Sequence, residues 1–283
     1  MTTRLFSTAP LFSQSGLGAV PRTIQDKLRE TVSVKDFGAR GDGEADDTEA
    51  IQRAADAAIE ENACLRFPPG RFRCGALIFS EGDSLRWVGE RESVLVAVAA
   101  EQTFATVNGD VFISGLSFED YMVGFNCDDV PAGAKLRFDG LTFTDCGLMG
   151  TAGGRVNHQA AIQCRDVDAA VIDSLFVTNC ILEGGDFGIC WRGGFDQATI
   201  AFNRFEGQTR MGVMLGDNTA DQKTRKAAKV LYNRFKDIIG TSATENEIHA
   251  ALVYAYDALV QGNSVDTVYD IHSATHDSEA IYL

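Results

Sequence analysis

The sequence predicts an all-β protein, folded as a right-handed, single-stranded parallel β-helix (a solenoid) with a short N-terminal capping α-helix and an extended leader. Three observations predict this fold. Short alternating apolar segments recur about every 30 residues, and glycine or another turn residue separates them. A helical pattern of apolar residues occurs near the N-terminus. A chain of 283 residues, 45% hydrophobic and 23% charged, can bury a core of this extent.

Residues 1–31 form the predicted leader because their apolar residues show little periodicity. The stretch from Thr8 to Gly18 contains Ser, Gly and Pro and is expected to be extended. Two interpretations remain open at this point. The leader is either a disordered tail or a segment that docks into a larger particle.

Residues 32–62 form the predicted opening strand and capping helix. Val32 and Val34 alternate with polar residues as in a short strand. A glycine turn follows, and then Asp46, Asp47 and Thr48 offer oxygens and negative charge to the start of a helix. Apolar residues recur at helical spacing through about Glu61, at Ala50, Ile51, Ala54, Ala55, Ala58 and Ile59.

Residues 32–54, VSVKDFGARGDGEADDTEAIQRA, resemble the opening motif of the pectate-lyase-like parallel β-helix superfamily. In that superfamily the helix covers the end of the solenoid. The segment Phe67-Pro68-Pro69-Gly70-Arg71-Phe72 resembles the first coil after the helix. Residues 20–30, VPRTIQDKLRE, resemble the leader of bacteriophage tail spike and tail fibre proteins built on the same solenoid.

The resemblance implies a phage virion spike or fibre subunit. It implies attachment to other virion proteins through residues 1–31, a homotrimer of parallel solenoids, and host cell-surface polysaccharide as the ligand. A depolymerase on the same fold, either a glycoside hydrolase or a lyase, is the alternative. A secreted bacterial sugar-modifying enzyme and a purely structural spike also remain open.

Residues 63–283 form the predicted β-helix because their strands repeat. Equivalent turn positions are spaced 25, 34, 28, 30 and 30 residues apart when the alignment uses Leu116, Leu141, Leu175, Asn203, Asn233 and Asn263. Equal positions of a solenoid lie about 4.8 Å apart. We therefore expect Asn203, Asn233 and Asn263 to form a hydrogen-bonded ladder. Cys146 and Cys180 hold matching places in this alignment and are expected to stack.

A second series of segments predicts one complete sheet of the solenoid. If Ile162, Ile189, Val213 and Ile281 face inward, alternation turns the next residues outward, namely Gln163, Cys190, Met214 and Tyr282. Such an apolar outward row suggests contact with another chain. The alternative is a register error of one residue, which exchanges the two faces.

Two segments are expected to be loops that leave the solenoid wall, from Gly216 to Lys226 and from Thr241 to Glu247. The chain ends at Leu283 within a strand pattern. This pattern predicts that the β-helix is open or truncated at its C-terminus.

Composition argues against several classes of function. The net charge of −15 disfavours nucleic-acid binding and non-specific attraction to acidic polysaccharide. The seven cysteines show no metal-ligand spacing and are expected to be free, buried thiols. The sequence predicts no metal site, no cofactor and no membrane span. With no signal peptide recognised, we expect a protein that is not Sec-secreted and that joins a virion assembled in the bacterial cytoplasm.

No catalytic residue can be assigned from sequence, although some residues are candidates. Glycoside hydrolysis needs two carboxylates, and four lie in turns beside the second series, at Glu183, Asp186, Glu206 and Asp217. A lyase needs a basic residue, for which Arg192 and Arg210 are candidates. His158 is interpreted as a polar loop residue.

Overall fold

The computed structural model describes residues 10–99, 101–147, 159–166, 168–216, 224–240, 247–270 and 277–283. It confirms the predicted all-β parallel β-helix, of about eight coils. Each complete coil supplies one strand to each of three parallel sheets, which we call the first, second and third sheet. The predicted loops and His158 lie largely outside the described residues, at 148–158, 217–223 and 241–246.

Within the described residues, the first and second sheets contain nine strands each and the third contains seven. The first sheet consists of Thr31–Ser33, Cys64–Phe67, Leu85–Gly89, Val111–Ser114, Lys135–Asp139, Ile172–Thr178, Phe195–Ala201, Arg225–Leu231 and Asp257–Gln261. The second consists of Asp42–Asp46, Gly70–Cys74, Ser93–Ala97, Ser117–Glu119, Thr142–Thr144, Ile181–Glu183, Arg204–Glu206, Arg234–Lys236 and Ser264–Val265. The third consists of Thr103–Thr106, Val123–Asn126, Ala160–Cys164, Phe187–Trp191, Met211–Leu215, Glu247–Val253 and Asp277–Tyr282.

A capping helix lies at the N-terminal end of the solenoid. This helix, Thr48–Glu60, buries Ala50, Ile51 and three further alanines against the core. Its N-terminus differs from the prediction in one detail. Asp46 accepts the hydrogen bonds at the start of the helix, from the backbone and hydroxyl of Thr48. Asp47 is buried and instead accepts from the backbone N–H groups of Arg40 and Gly41, at 2.6 and 2.9 Å.

Part of the predicted glycine turn is a strand. Asp42–Asp46 pairs with Gly70–Cys74, with a register shift between Asp42 and Asp46. A short 3-10 helix, Val34–Phe37, precedes it and ends at Gly38, whose φ of 96° is left-handed. Local periodicity did not reveal this strand because it consists of acidic residues, a glycine and an alanine, and contains no large apolar side chain.

The described part of the leader contains regular structure. Leu11–Phe12 pairs antiparallel with Arg22–Thr23, and a one-turn helix follows at Ile24–Leu28. The hydroxyl of Thr23 accepts from the backbone N–H of Asp26 and caps this helix. The helix buries none of its residues.

The turn that joins a first-sheet strand to a second-sheet strand, here called the first corner, contains the predicted asparagine ladder. Asn203 Nδ2 donates to Asn233 Oδ1, and Asn233 Nδ2 donates to Asn263 Oδ1, both at 3.0 Å. Each amide also donates to a carbonyl of an earlier coil, at Val177, Ile200 and Val230. The ladder is confirmed.

The register corrects two positions of the sequence alignment. Leu175 pairs with Leu136 inside the first sheet, and Cys180 is the residue that follows the corner in that coil. The steps are therefore 25, 39, 23, 30 and 30 residues. The predicted stack of Cys146 on Cys180 is wrong, because Cys146 follows a second-sheet strand, Thr142–Thr144, and lies beyond a different corner.

All seven cysteines are free thiols, as predicted, and all except the half-buried Cys64 are buried. No helix among the described residues is long and apolar enough to cross a membrane. A further parallel pair of short strands, Ile238–Gly240 and Val268–Asp270, lies beside the last coils.

Candidate functional site

The outer face of the third sheet carries buried polar residues beside an apolar cluster. Its alternation is as predicted, because Gln163, Cys190, Met214, Leu252 and Tyr282 are aligned in one row across successive coils. The neighbouring row that contains Ile162, Ile189 and Val213 belongs to the core. The one-residue register error is thereby excluded.

The outward row differs from the prediction in its exposure. Gln163, Cys190 and Met214 are 2%, 0% and 7% exposed within this single chain. Together with Phe187, Met211 and Leu252, the cysteine and the methionine belong to a second apolar cluster, separate from the main core. An apolar row that the chain itself buries needs no second chain to cover it. These buried residues therefore give no support to the predicted subunit contact, whereas Tyr282, the last residue of the row, is 39% exposed. The contact itself remains a prediction.

Charged groups border this apolar cluster in adjacent coils. Asp186 is 5% exposed and accepts from the hydroxyl of Thr209 at 3.2 Å. The Arg210 guanidinium lies over the Phe187 ring, 5.3 Å from its centroid. The backbone N–H of Arg210 donates to the carbonyl of Asp186 at 3.1 Å. Asp186 and Arg210 thus border the apolar cluster from adjacent coils, which are about 4.8 Å apart along the solenoid.

His249 continues a different row of the same face, that of Ala160, Phe187 and Met211, by one further coil. It aligns with Met211, is 3% exposed, and its ring lies 5.8 Å from the Tyr282 ring. Tyr282 also lies 5.7 Å from the Tyr254 ring. Tyr282 is 39% exposed, so the aromatic edge of the site reaches solvent. Sequence reasoning missed His249, because its strand lies beyond a predicted loop and carries no motif.

Amide and acidic groups lie at the opposite end of the same strands. Gln163 Nε2 donates to Asn126 Oδ1 at 3.1 Å, which links two coils. Asp128 Oδ1 accepts from the backbone N–H groups of Arg165 and Asp166. These bonds hold the turn that leaves the third sheet in one conformation.

Arg192 and Arg225 lie at the same corner. The backbone carbonyl of Arg192 accepts from Arg225 Nη1 at 3.0 Å, and the carbonyl of Tyr254 accepts from Arg225 Nε at 2.9 Å. Arg225 is fully buried and begins a first-sheet strand, although the sequence placed it in a loop. The loop prediction failed there because a charged residue normally indicates exposure.

Two of the candidate carboxylates lie on a different sheet. Glu183 and Glu206 are paired residues of the second sheet. Glu206 Oε1 lies 2.7 Å from Lys236 Nζ, and Arg204 contacts both glutamates. The bonds from Lys236 and then Arg204 lower the pKa of Glu206. A carboxyl group with a lowered pKa is a poor general acid, because it is already ionised at neutral pH.

Of the sequence candidates, Asp186, Arg192 and Arg210 lie close enough to Cys190 of the apolar cluster to act on it electrostatically. Asp217 and His158 lie outside the described residues. Burial raises the pKa of the Cys190 thiol to about 12, so this residue is a packing group and no nucleophile at neutral pH. Among the described residues, no group of three or more His, Cys, Asp or Glu side chains could hold a metal ion.

Residues 31–127 match the family model described as rhamnogalacturonase A/epimerase, pectate lyase-like. The matched segment is about a third of the chain, so the pectate-lyase-like likeness concerns this N-terminal part of the β-helix. This match includes the opening strand, the capping helix and the first coils, so the resemblance seen in residues 32–54 and in the first coil is confirmed.

Two curated proteins match this chain over short segments. The tail spike protein of an Escherichia phage is 46% identical over 54 residues, which is 19% of this chain and 7% of the phage protein. Alginate lyase 7 of Azotobacter vinelandii is 40% identical over 75 residues, 23% of this chain and 9% of the lyase. The matches therefore span less than a tenth of either relative.

A solved structure shares the fold over most of the chain. PfbA, a surface adhesin of Streptococcus pneumoniae, superposes with a TM-score of 0.59 and 16% identity. The superposition covers 84% of this chain and 63% of the adhesin. At this identity the likeness concerns the fold alone.

Proposed function

We propose that the protein is a phage virion spike or fibre subunit that attaches to host cell-surface polysaccharide through its β-helix. The observation that carries this proposal is the local match to a tail spike protein. The second match, to an alginate lyase, supports the same class of ligand. The solenoid offers a long, rigid lateral surface, which suits a polymer of repeating sugar units.

The test is incubation of the purified protein with capsule and lipopolysaccharide from candidate hosts. We expect retention of the protein on at least one host polysaccharide and no retention on polysaccharide from a resistant strain. New reducing ends without absorbance at 235 nm would indicate hydrolysis, and a rise at 235 nm would indicate elimination. The proposal would be contradicted if the protein were neither retained by any host polysaccharide nor able to cleave one.

Cleavage of the polysaccharide is the second candidate function, and the position of Asp186 and Arg210 in adjacent coils beside an apolar cluster favours it. A carboxylate can act as base or nucleophile, and a guanidinium can stabilise negative charge that develops on a sugar. If the protein cleaves, Asp186→Asn is expected to lower the rate about 100-fold. Glu183→Gln is the matched control, because Glu183 lies on the second sheet and should leave the rate unchanged.

Within this proposal the chain divides into a leader (1–31), an opening strand and capping helix (32–62), and the β-helix (63–283). The leader serves as the virion anchor, and two features support that role. Several of its apolar side chains are exposed, including Leu17, Val20 and Leu28. A cavity of about 590 Å³ also lies between the leader and the capping helix, bordered by Ile24, Leu28, Phe37 and Ala57 among others.

Leu17→Ser combined with Val20→Ser is expected to reduce incorporation into virus particles more than tenfold, measured by quantifying the protein in purified particles. Ile78→Ser is the matched control, because Ile78 is 79% exposed but lies on the solenoid. Equal incorporation of both variants would remove the leader from this role.

The assembly proposed with this function is a homotrimer of parallel solenoids, carried in the virion and not exported through the Sec route. The local tail spike match supports it. Light scattering at micromolar concentration should then give a mass three times the 30.6 kDa of the chain. A monomeric mass would contradict the trimer without affecting polysaccharide binding.

A further inference from the structure

Two large aromatic side chains form an exposed stack on the first corner. Phe202 and Tyr232 occupy equivalent positions of successive coils, directly after Ala201 and Leu231, which pair in the first sheet. Their ring centroids are 5.4 Å apart with an interplanar angle of 10°. Phe202 is 60% exposed and Tyr232 is 49% exposed. Apolar rings this large are normally buried.

The backbone at these positions is left-handed, with φ of 60° at Phe202 and 54° at Tyr232. This conformation is characteristic of glycine and asparagine, and a bulky residue there is an outlier. The equivalent positions of four other coils follow that preference, since they hold Gly115, Gly140, Asn179 and Gly262. The turn itself does not need an aromatic side chain. Strain of this kind is commonly retained where a side chain has a function.

Neighbouring coils support one side of the stack and leave the other side open. A Cβ atom on Gly262 would lie 2.3 Å from Tyr232 Cδ1, so the Tyr232 ring rests against this glycine. On the opposite side, Asn179 lies one coil beyond Phe202, but its Nδ2 donates to Asp139 Oδ1 at 2.8 Å, in the coil still further away. The amide is thus turned away from Phe202, whose outer face remains accessible.

Polar groups surround this accessible face. Asp139 Oδ1 also accepts from the Thr178 hydroxyl at 2.7 Å. The bond from Thr178 lowers the pKa of Asp139, and the bond from Asn179 acts in the same direction. The carboxylate is therefore ionised at neutral pH and accepts hydrogen bonds from hydroxyl groups. Arg137 Nη2 lies 4.0 Å from the other oxygen of this carboxylate, so discrimination against a uronic acid rests on the net charge of −15 rather than on Asp139 alone.

We propose that the exposed face of Phe202, supported by Tyr232 and bordered by Asn179 and Asp139, binds a neutral pyranose ring of a polysaccharide. A pyranose presents C–H groups on one face and hydroxyl groups around its edge. The C–H face packs on the negative face of an aromatic ring. The hydroxyls reach the amide and carboxylate one and two coils away, about 4.8 Å per coil. This inference rests on the proposed polysaccharide-binding function and adds a site on the first corner, away from the third sheet.

The test is affinity electrophoresis of the whole chain in gels that contain dextran, mannan, galactan, polygalacturonate or the host polysaccharide retained in the assay above. The variants are Phe202→Asn and Tyr232→Asn. Asparagine is chosen because it occupies the equivalent left-handed position at Asn179, so both variants are expected to fold with an unchanged or higher unfolding temperature. Tyr256→Asn is the matched control, since Tyr256 is 78% exposed at another corner.

We expect at least one neutral polysaccharide to retain the wild-type protein, Phe202→Asn to bind about tenfold more weakly, and Tyr256→Asn to bind like wild type. Equal retention of wild type and Phe202→Asn would overturn the inference and leave the proposed function standing. Stronger retention by polygalacturonate than by every neutral polymer would overturn the choice of a neutral sugar. If no polymer retained the wild-type protein, both proposals would be overturned.

Discussion

Asn233 is the central residue of the buried ladder and the one with most partners. Its Oδ1 accepts from both the backbone and the side chain of Asn203, and its Nδ2 donates to Ile200 O and to Asn263 Oδ1. It is 1% exposed, so water cannot replace these bonds. One side chain thereby satisfies two backbone groups of the preceding coil and bonds to a side chain of the next.

Asn233→Ala is expected to destabilise the protein by at least about 2 kcal/mol, because it leaves the Ile200 carbonyl and the Asn203 N–H buried without partners. Urea unfolding measures the change. Asn263→Ala should cost less, since Asn263 is only partly buried and ends the described ladder. Equal effects of the two substitutions would mean that burial does not determine the contribution of a ladder residue.

The cysteines provide a second test at the scale of single residues. Burial raises the pKa of Cys146, Cys164 and Cys180 to about 12, and it also raises the pKa of Cys64, which is only half-buried. In the native protein at pH 8 we expect a thiol reagent to modify Cys64 alone, and all seven cysteines after unfolding. Modification of several thiols in the native state would contradict this.

The same pKa values predict how stability depends on pH. The unfolded chain loses its thiol protons near pH 9, whereas the folded chain holds them to about pH 12. Between these values the folded state binds more protons, so the free energy of unfolding should fall as pH rises. Urea unfolding at pH 8 and pH 10 measures this, and equal stability at both pH values would argue against the predicted burial of the thiols.

At the scale of elements, the third sheet carries a row of small residues opposite the rings of the second sheet. A Cβ on Gly188 would lie 2.7 Å from Phe205 Cδ1, and one on Gly212 would lie 2.6 Å from Phe235 Cδ1. Phe205 and Phe235 stack with centroids 4.9 Å apart. Gly188 and Gly212 of the third sheet therefore leave room for the stacked rings of Phe205 and Phe235 from the second sheet.

Gly212→Ala is expected to destabilise the protein by about 1–3 kcal/mol, because the added methyl group meets Phe235 and the carbonyl of Ala250 inside a packed core. Urea unfolding again provides the measurement. Ala250→Gly is the control in the same sheet, which removes a methyl group without creating a contact. A neutral Gly212→Ala would show that the coil can expand to accept the methyl group.

At the scale of the whole molecule, the net charge of −15 sets the response to acidic polymers. Salt screens repulsion between two anionic molecules. Retention on polygalacturonate should therefore be weak at 20 mM NaCl and should not decrease at 500 mM NaCl, whereas retention on a neutral polymer should be independent of salt. Strong retention at low salt that is lost at high salt would reveal a local basic surface.

Local patterns were sufficient for much of the fold and for one part of the site. Alternation placed Ile162 inward and Gln163 outward, and equal spacing predicted the hydrogen bonds of Asn203, Asn233 and Asn263. Both patterns are periodic within a strand or coil, so each segment contains the information. The same reasoning selected Asp186 and Arg210 but could not separate them from Glu183 and Glu206, because the chain contains 40 acidic residues and local sequence does not show which sheet a carboxylate borders.

Other features depend on which coils lie next to each other, and here the coil lengths of 39 and 23 residues concealed the register. That register puts Cys180 at the corner where the sequence suggested Leu175. It also brings Phe202 against Tyr232, buries Arg225, and places His249 beside Tyr282. Periodicity along the chain thus determines the strands and their inward faces. Only stacking in space decides which side chains meet, because neighbours across coils are separated by a variable number of residues.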